Sequence, residues 1–238
     1  MLLHPRKMAI VKLTWIALLV LGLAGQAGQH APETLPAKAS ERLGKSLMDA
    51  KPHAQHVWRD TPSMNADGTI NGYIEIARGD RNKWEFNIAT NQRFIDRVMP
   101  ESLGGYPINY GFVPQTISYD TDPFDILVLG PPIEGGTVVR GVPVGVMFME
   151  DEKGLDSKVV ISRVDDRGRP MHQLTPAIQK EVGSFFNRYK DHEKEKGAFS
   201  KVPGWGSREE GLALVRLTHE FFMKCRGRKD TCVVSRQK

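Results

Sequence analysis

Apolar residues recur with a strand-like period through the middle of the chain and with a helical period towards its end. Short alternating or continuous apolar runs predict strands at 70–77, 84–88, 94–99, 125–129, 138–149 and 159–164. Two later segments predict helices, 176–187 after the N-cap Thr175 and 208–224 after the N-cap Ser207. Strands followed by helices predict an α+β protein whose β core is a barrel or a sandwich.

The N-terminus has the composition of a secretory signal. Arg6, Lys7 and Lys12 precede the uncharged apolar run 13–25, and small residues follow it. Because this run is shorter than the roughly 20 residues that span a bilayer, we expect residues 1–27 to be a cleaved signal peptide. The protein is then exported, to the periplasm or the medium. An uncleaved anchor, which alone would bring membrane contact, is the alternative.

Residues 28–68 predict an N-terminal arm, because they are rich in Pro, Ala, His and polar groups. We expect a short helix at 37–50 and regular structure from Thr69. The opposite end, 225–238, is a basic tail of the kind that is usually solvated. It begins with Cys225 and contains Cys232, and the spacing between these two cysteines does not match a zinc site. Outside the cytoplasm the two cysteines can form a disulfide; two free thiols are the alternative.

The net charge depends on the signal segment. That segment carries three of the 33 basic residues and none of the 28 acidic ones, so its removal lowers the charge from +5 to +2. A mature chain with so little excess charge gives no reason to expect a nucleic-acid partner.

An acidic run stands directly before the predicted strand at 125–129. Asp120, Asp122 and Asp125 lie within six residues, and Pro123 stiffens the turn between them. Such crowded carboxylates repel one another unless a cation lies among them, and carboxylate oxygens suit Mg²⁺. Alone, the run is also typical of a solvated acidic turn.

Further charged and phenolic groups lie in five segments. Alone, the first four segments are typical of a mixed-charge strand face, a surface ion pair, a packed loop and a solvated hairpin tip, and the fifth lies just past the first predicted helix. Together, carboxylates mixed with Lys, Arg and Tyr favour a metal-bound polyanion, above all a phosphate. The sequence has no P-loop and no G-x-S-x-G motif. The groups are Glu75 with Lys83 and Glu85; Arg97; Tyr106 and Tyr110; Asp151, Asp156 and Lys158; and Tyr189 with Lys190.

The order of these motifs resembles the family I soluble inorganic pyrophosphatases. Residues 120–125 fit D-x-D-P-x-D, 106–111 fit Y-P-x-N-Y-G, and 151–158 fit D-E-x-G-x-D-x-K. The resemblance continues through Pro143-Val-Gly-Val, Tyr189-Lys190 and Pro203-Gly-Trp205, and spans about Tyr73 to Trp205. It implies an OB-like five-stranded closed β-barrel flanked by C-terminal helices, with the pyrophosphatase domain at 69–224.

The resemblance also implies hydrolysis of pyrophosphate to two phosphates at a site with several Mg²⁺ ions per subunit. Asp122 takes the proton of the attacking water. The implied metal ligands are Asp120, Asp125 and Asp156 for the first ion, Asp125 also for the second, Asp151 with Asp156 for a third, and Glu85 for another. The implied phosphate-binding groups are Lys83, Arg97, Tyr189 and Lys190, with Tyr110 and Lys158 completing the pocket. The resemblance implies that Glu75 contacts the metal ligands rather than the metals themselves. The match of Tyr106 to a functional residue of the family is weaker.

Several features depart from the resembled family. The segment from Glu75 to Lys83 is one residue shorter than in some bacterial relatives, and Trp84 replaces a Tyr or Leu, which we interpret as core packing. Relatives form dimers or hexamers, which implies a homo-oligomer. Most relatives are cytosolic. Because this chain is expected to be exported, two alternative functions stay open. One is a non-catalytic module that binds metal or polyphosphate, and the other is a phosphatase of broader range.

Overall fold

The computed structural model describes residues 55–226. The signal segment, the predicted helix at 37–50 and Cys232 lie outside this range, so the expectations about them stay predictions. No helix within 55–226 is long and apolar enough to cross a membrane. In chain order the elements are α1 Val57–Asp60, β1 Ile70–Ile76, β2 Asn82–Asn87, β3 Gln92–Val98, a 3-10 turn Glu101–Leu103, β4 Asn109–Phe112, β5 Asp125–Leu129, β6 Val138–Asp151, β7 Gly154–Leu155, β8 Lys158–Arg163, α2 Pro176–Phe186, a 3-10 turn Asp191–Lys196, β9 Ser200–Gly206 and α3 Arg208–Cys225.

Five strands form a closed ring. Hydrogen bonds join β1 to β4, β4 to β5, β5 to β8, β8 to β6, and β6 back to β1. Only β5 and β8 run parallel; the other pairs are antiparallel. The ring needs a close approach at Gly111, where an added Cβ would lie 1.8 Å from the Tyr73 carbonyl oxygen. The predicted OB-like closed β core is confirmed.

The predicted strands at 84–88 and 94–99 form a hairpin of their own. Among residues 55–226, β2 and β3 pair only with each other, and a register shift separates Lys83 from Trp84. Trp84 is half-buried against the core, donates to Asp80 Oδ2 (3.0 Å) and lies under the Arg93 guanidinium. The core-packing interpretation of Trp84 is therefore confirmed.

Both long helices begin at the predicted caps. The Thr175 hydroxyl accepts from the Ile178 N–H, and Ser207 forms a capping box with Glu210. α3 packs on the core through buried residues that include Val215 and Phe222. Its last residue, Cys225, is buried, and the disulfide expected between it and Cys232 stays a prediction because Cys232 lies outside the described residues.

Three expectations about local structure were wrong or incomplete. Within residues 55–226 regular structure already begins at α1, ahead of Thr69, because Trp58 is fully buried and fixes the chain there. The segment 106–116 contains a strand, β4, although Pro107 and Pro114 interrupt its sequence. β9 was not predicted because Pro203 and Gly204 disfavour a strand. Proline is tolerated in an edge strand, and among the described strands β9 pairs with β6 alone.

Candidate active site

A cavity of about 490 Å³ opens between one end of the barrel, the β2–β3 hairpin and the segment after α2. Nearly all of the predicted site residues line it, although they come from six separate stretches of sequence. Those residues are Glu75, Lys83, Glu85, Arg97, Tyr106, Tyr110, Asp120, Asp122, Asp125, Asp151, Asp156, Tyr189 and Lys190.

The acidic run is held in a tight turn before β5. Thr121 has a left-handed backbone (φ 77°), and the Asp122 N–H donates to Asp120 Oδ1 at 3.2 Å. The Ser118 N–H donates to the Asp122 carbonyl oxygen at 2.7 Å. These bonds fix the backbone so that the carboxylates of Asp120, Asp122 and Asp125 all face the cavity.

Lys158, which we expect among the substrate-binding groups, lies beneath the cavity rather than in its wall. Its side chain is 1% exposed, and its Nζ lies 2.5 Å from Asp125 Oδ2 and 2.8 Å from Asp156 Oδ1. The Tyr110 hydroxyl donates to the same Asp125 oxygen at 2.6 Å. Lys158 therefore holds Asp125 and Asp156 in place, and Tyr110 also holds Asp125.

The carboxylates are crowded enough to resist ionisation. Burial, reinforced by the charges of Asp122 and Asp125, raises the pKa of Asp120 to about 7. Burial also raises the pKa of Glu75 well above its ordinary value, helped by Glu85 and Asp125. The pKa of Asp156 is raised by burial despite its contact with Lys158.

The basic groups expected to bind phosphate are paired with acidic side chains. Lys190 Nζ lies 2.7 Å from both Asp151 Oδ2 and Glu152 Oε1. Arg97 Nη1 lies 3.3 Å from Glu193 Oε1, which stands on the 3-10 turn Asp191–Lys196. Lys83 forms an ion pair with its strand neighbour Glu85.

Three charged lining residues were not predicted, namely Glu152, Lys153 and Glu193. The first two lie in the acidic segment 150–158, which does form the predicted hairpin tip through β6 and β7. Burial opposes the charge of Lys153, but Asp122 and Asp120 outweigh it and raise the Lys153 pKa. Glu193 lies in a run of charged residues that is typical of a solvated helix, so the sequence held no signal for it.

The cavity has a formal excess of negative charge. Nine carboxylates line it, against four basic side chains, Lys83, Arg97, Lys153 and Lys190. Within residues 55–226 no three His, Cys, Asp or Glu side chains stand in a ready-made metal-ligand group. The donors are nevertheless the hard oxygens that Mg²⁺ prefers, so the chemistry of the set fits such ions.

Comparisons with known proteins point to one family. The sequence model described as "Inorganic pyrophosphatase" matches residues 72–223. The inorganic pyrophosphatase of Rickettsia prowazekii (strain Madrid E) is 38% identical over 155 residues, which cover 62% of this chain and 88% of that protein. That of Saccharolobus solfataricus is 37% identical over 166 residues, covering 65% of this chain and 92% of that protein.

Solved structures agree with these sequence matches. The crystal structure of the inorganic pyrophosphatase from Thermus thermophilus has a TM-score of 0.64 and 34% identity. It covers 71% of this chain and 99% of that chain. The inorganic pyrophosphatase from Neisseria gonorrhoeae gives a TM-score of 0.62 at 32% identity, over 68% of this chain and 96% of that chain.

Proposed function

This chain belongs to the inorganic pyrophosphatase family, and we propose that the cavity described above is where it hydrolyses inorganic pyrophosphate to two phosphates. The enzyme is thus an inorganic diphosphatase, a phosphoric anhydride hydrolase. The family match begins at 72 and ends at 223, so it includes every residue that faces the cavity.

The excess of carboxylates carries the assignment of the cavity. Nine acidic side chains against four basic ones would repel pyrophosphate, which is itself a polyanion. Substrate can bind only if divalent cations enter with it or before it. A cavity with this charge therefore suits a metal–pyrophosphate complex and suits a bare anion poorly.

Mg²⁺ is the proposed cofactor, with several ions per subunit. Following the family pattern, the ligands are Asp120, Asp125 and Asp156 for one ion, Asp125 for a second, Asp151 and Asp156 for a third, and Glu85 for another. When bound, Mg²⁺ lowers the pKa of coordinated water towards neutrality and neutralises charge on the phosphates.

Asp122 is the proposed general base. Its backbone is fixed on both sides, by the N–H donated to Asp120 and by the carbonyl that accepts from Ser118. A rigid turn holds its carboxylate at a set position in the cavity, as proton abstraction from an attacking water requires. Asp125 is assigned as a metal ligand rather than as the base, because Tyr110 and Lys158 already contact one of its two carboxylate oxygens.

The basic groups of the wall bind the phosphates in this proposal. Lys83 and Arg97 approach from the hairpin, and Tyr189 with Lys190 from the segment after α2. Each of the three basic side chains forms an ion pair with a carboxylate that the substrate has to displace. These carboxylates are Glu85 for Lys83, Glu193 for Arg97 and Asp151 for Lys190. Charge-assisted contacts to phosphate oxygens replace those ion pairs.

Export is proposed from residues 1–27 alone, because their charge and hydropathy are those of a secretory signal. The homo-oligomer likewise remains a proposal from the family pattern. Neither bears on the chemistry of the cavity.

A phosphate-release assay on the chain from residue 28 tests the proposal. We expect rapid release from pyrophosphate with Mg²⁺ and almost none with EDTA. The same assay on tripolyphosphate and ATP tests for a broader phosphatase, which requires comparable rates on all three. Calorimetry that detects pyrophosphate binding without turnover would instead indicate a binding module.

A further inference from the structure

A short segment before the family-matched region reaches the cavity-bearing hairpin. This lead segment, residues 55–60, contains α1 and lies upstream of position 72, where the family match begins. His56 caps α1, since its Nδ1 accepts from the Arg59 N–H at 3.2 Å. The His56 N–H donates to Asp60 Oδ2 at 2.7 Å, so the segment is fixed internally.

One side of the lead segment binds the turn between β2 and β3. Because His56 Nδ1 accepts a hydrogen bond, its Nε2 carries the proton and donates to the Ile88 carbonyl oxygen at 2.7 Å. The Val57 N–H donates to Asn91 Oδ1 at 2.9 Å, and Asn91 Nδ2 donates to the Gln55 carbonyl oxygen at 3.2 Å. Three hydrogen bonds therefore join the segment to the turn.

The other side of the lead segment is anchored in the core. Trp58 is fully buried, meets Phe222 of α3 edge-on at 5.2 Å, and donates from Nε1 to the Thr116 carbonyl oxygen at 2.9 Å. The Gln115 N–H donates to the Trp58 carbonyl oxygen at 2.8 Å. The hairpin turn is thus tied to the same core that carries the acidic run.

The hairpin needs such a support. Within the described residues β2 and β3 form no strand pairs with the barrel, so the hairpin relies on side-chain packing, such as that of Trp84 and Phe86, and on bonds at its two ends; a two-stranded hairpin without such contacts is at best marginally stable. At its open end the Tyr106 N–H donates to the Asp80 carbonyl oxygen at 2.9 Å. Lys83 and Arg97 lie on the hairpin and face the cavity, so their positions depend on how both of its ends are held.

We propose that the lead segment, through its hydrogen bonds to Ile88 and Asn91, positions the β2–β3 hairpin so that Lys83 and Arg97 meet the substrate. His56 and Val57 are then positioning residues that touch no substrate themselves. The proposal rests on the proposed function, since it takes the cavity as the pyrophosphate site.

Val57 offers a matched pair of substitutions. It is the first residue of α1, where proline is well accommodated, and His56 before it has the extended backbone (φ −92°, ψ 118°) that a residue preceding proline needs. Val57→Pro removes the N–H that Asn91 accepts and keeps an apolar side chain. Val57→Ala keeps the N–H and loses side-chain packing instead.

His56 offers a second pair should Val57→Pro fail to fold. His56→Ala removes the donor to Ile88, while His56→Gln retains an amide N–H that can reach the same carbonyl. Circular dichroism first establishes that each full-chain variant is folded. Steady-state kinetics with Mg²⁺ and pyrophosphate, and hydrogen exchange of the amides at 82–98, follow.

The proposal expects the KM for pyrophosphate to rise about fivefold in Val57→Pro and in His56→Ala, the effect of one lost hydrogen bond, with kcat changed less than about twofold. Exchange at 82–98 should quicken, while Val57→Ala and His56→Gln stay near wild type. An unchanged KM in folded Val57→Pro and His56→Ala would overturn the proposal. So would equal KM increases in all four variants, because packing would then be the cause. If the wild type does not hydrolyse pyrophosphate, the proposed function fails, and the exchange data alone decide whether the segment holds the hairpin.

Discussion

Replacing Lys158 with Met removes the cation that Asp125 and Asp156 share. The Lys158 side chain is 1% exposed, and its Nζ lies 2.5 and 2.8 Å from the two carboxylates, which are themselves 18% and 17% exposed. Lys158→Met keeps the length and apolar stem of the side chain. It leaves two largely buried carboxyl groups without their shared cationic partner, while Tyr110 still donates to Asp125.

Removing one partner of a buried ion pair costs about 3–5 kcal/mol. For a domain of this size, each kcal/mol lowers the melting temperature by about 2–4 °C, so the loss should be about 6–20 °C in EDTA. Mg²⁺ bound by the same carboxylates would replace the missing positive charge. It should therefore raise the melting temperature of Lys158→Met more than that of the wild type.

Thermal unfolding followed by circular dichroism, with EDTA or with Mg²⁺, measures both effects. Lys158→Arg is the control, because it keeps a cation at the same position. A melting temperature for Lys158→Met within about 2 °C of wild type in EDTA would refute the assigned role of the ion pair. Equal stabilisation of the two proteins by Mg²⁺ would refute the assignment of Asp125 and Asp156 as ligands.

Three further predictions concern the acidic groups and the N-terminus. The pKa of Asp120 is raised from 3.8 to about 7, so its contribution to metal-free stability is fully present below pH 4 and lost as the pH rises through 7. Asp120→Asn should flatten that part of the melting temperature–pH profile in EDTA, and identical profiles for the two proteins would contradict the shift. Glu193→Gln removes one of the two acidic partners of Arg97, the other being Asp96 at 3.4 Å, and should lower the KM for pyrophosphate about twofold, the scale of a partly exposed pair; a KM that rises would show that Glu193 assists binding instead. Intact-mass measurement of the exported protein should give a chain without 1–27, and a mass that retains Met1 would exclude cleavage.

Regular patterns were enough to predict most of the fold. The continuous apolar run of β5 and the capped starts of α2 and α3 stand at the predicted residues, since local sequence alone sets their ends. β4 was missed because it has only four residues and contains Gly111, and β9 because it contains Pro203 and Gly204; both owe their extended form to partners elsewhere in the chain. Pairing of that kind leaves no local pattern to detect.

The site was predicted as a set of residues rather than as a geometry. The motifs brought Asp120, Asp151 and Asp156 together correctly, because the resemblance fixed their relative order. It could not reveal that Lys158 lies under the carboxylates, since burial depends on how β5, β6 and β8 meet. The lead segment was missed for a similar reason: its support of the hairpin depends on single hydrogen bonds from His56 and Val57.

Phosphate release from pyrophosphate by wild type and by Asp122→Asn, side by side with Mg²⁺, tests the central claim most directly. Asn keeps the size of the side chain and the backbone bonds of the turn, so pyrophosphate and Mg²⁺ should still bind. With its general base removed, the variant should lose about 10²–10⁴-fold in kcat. Turnover by folded Asp122→Asn at a rate comparable to wild type would contradict the assignment of Asp122 as the base in this cavity.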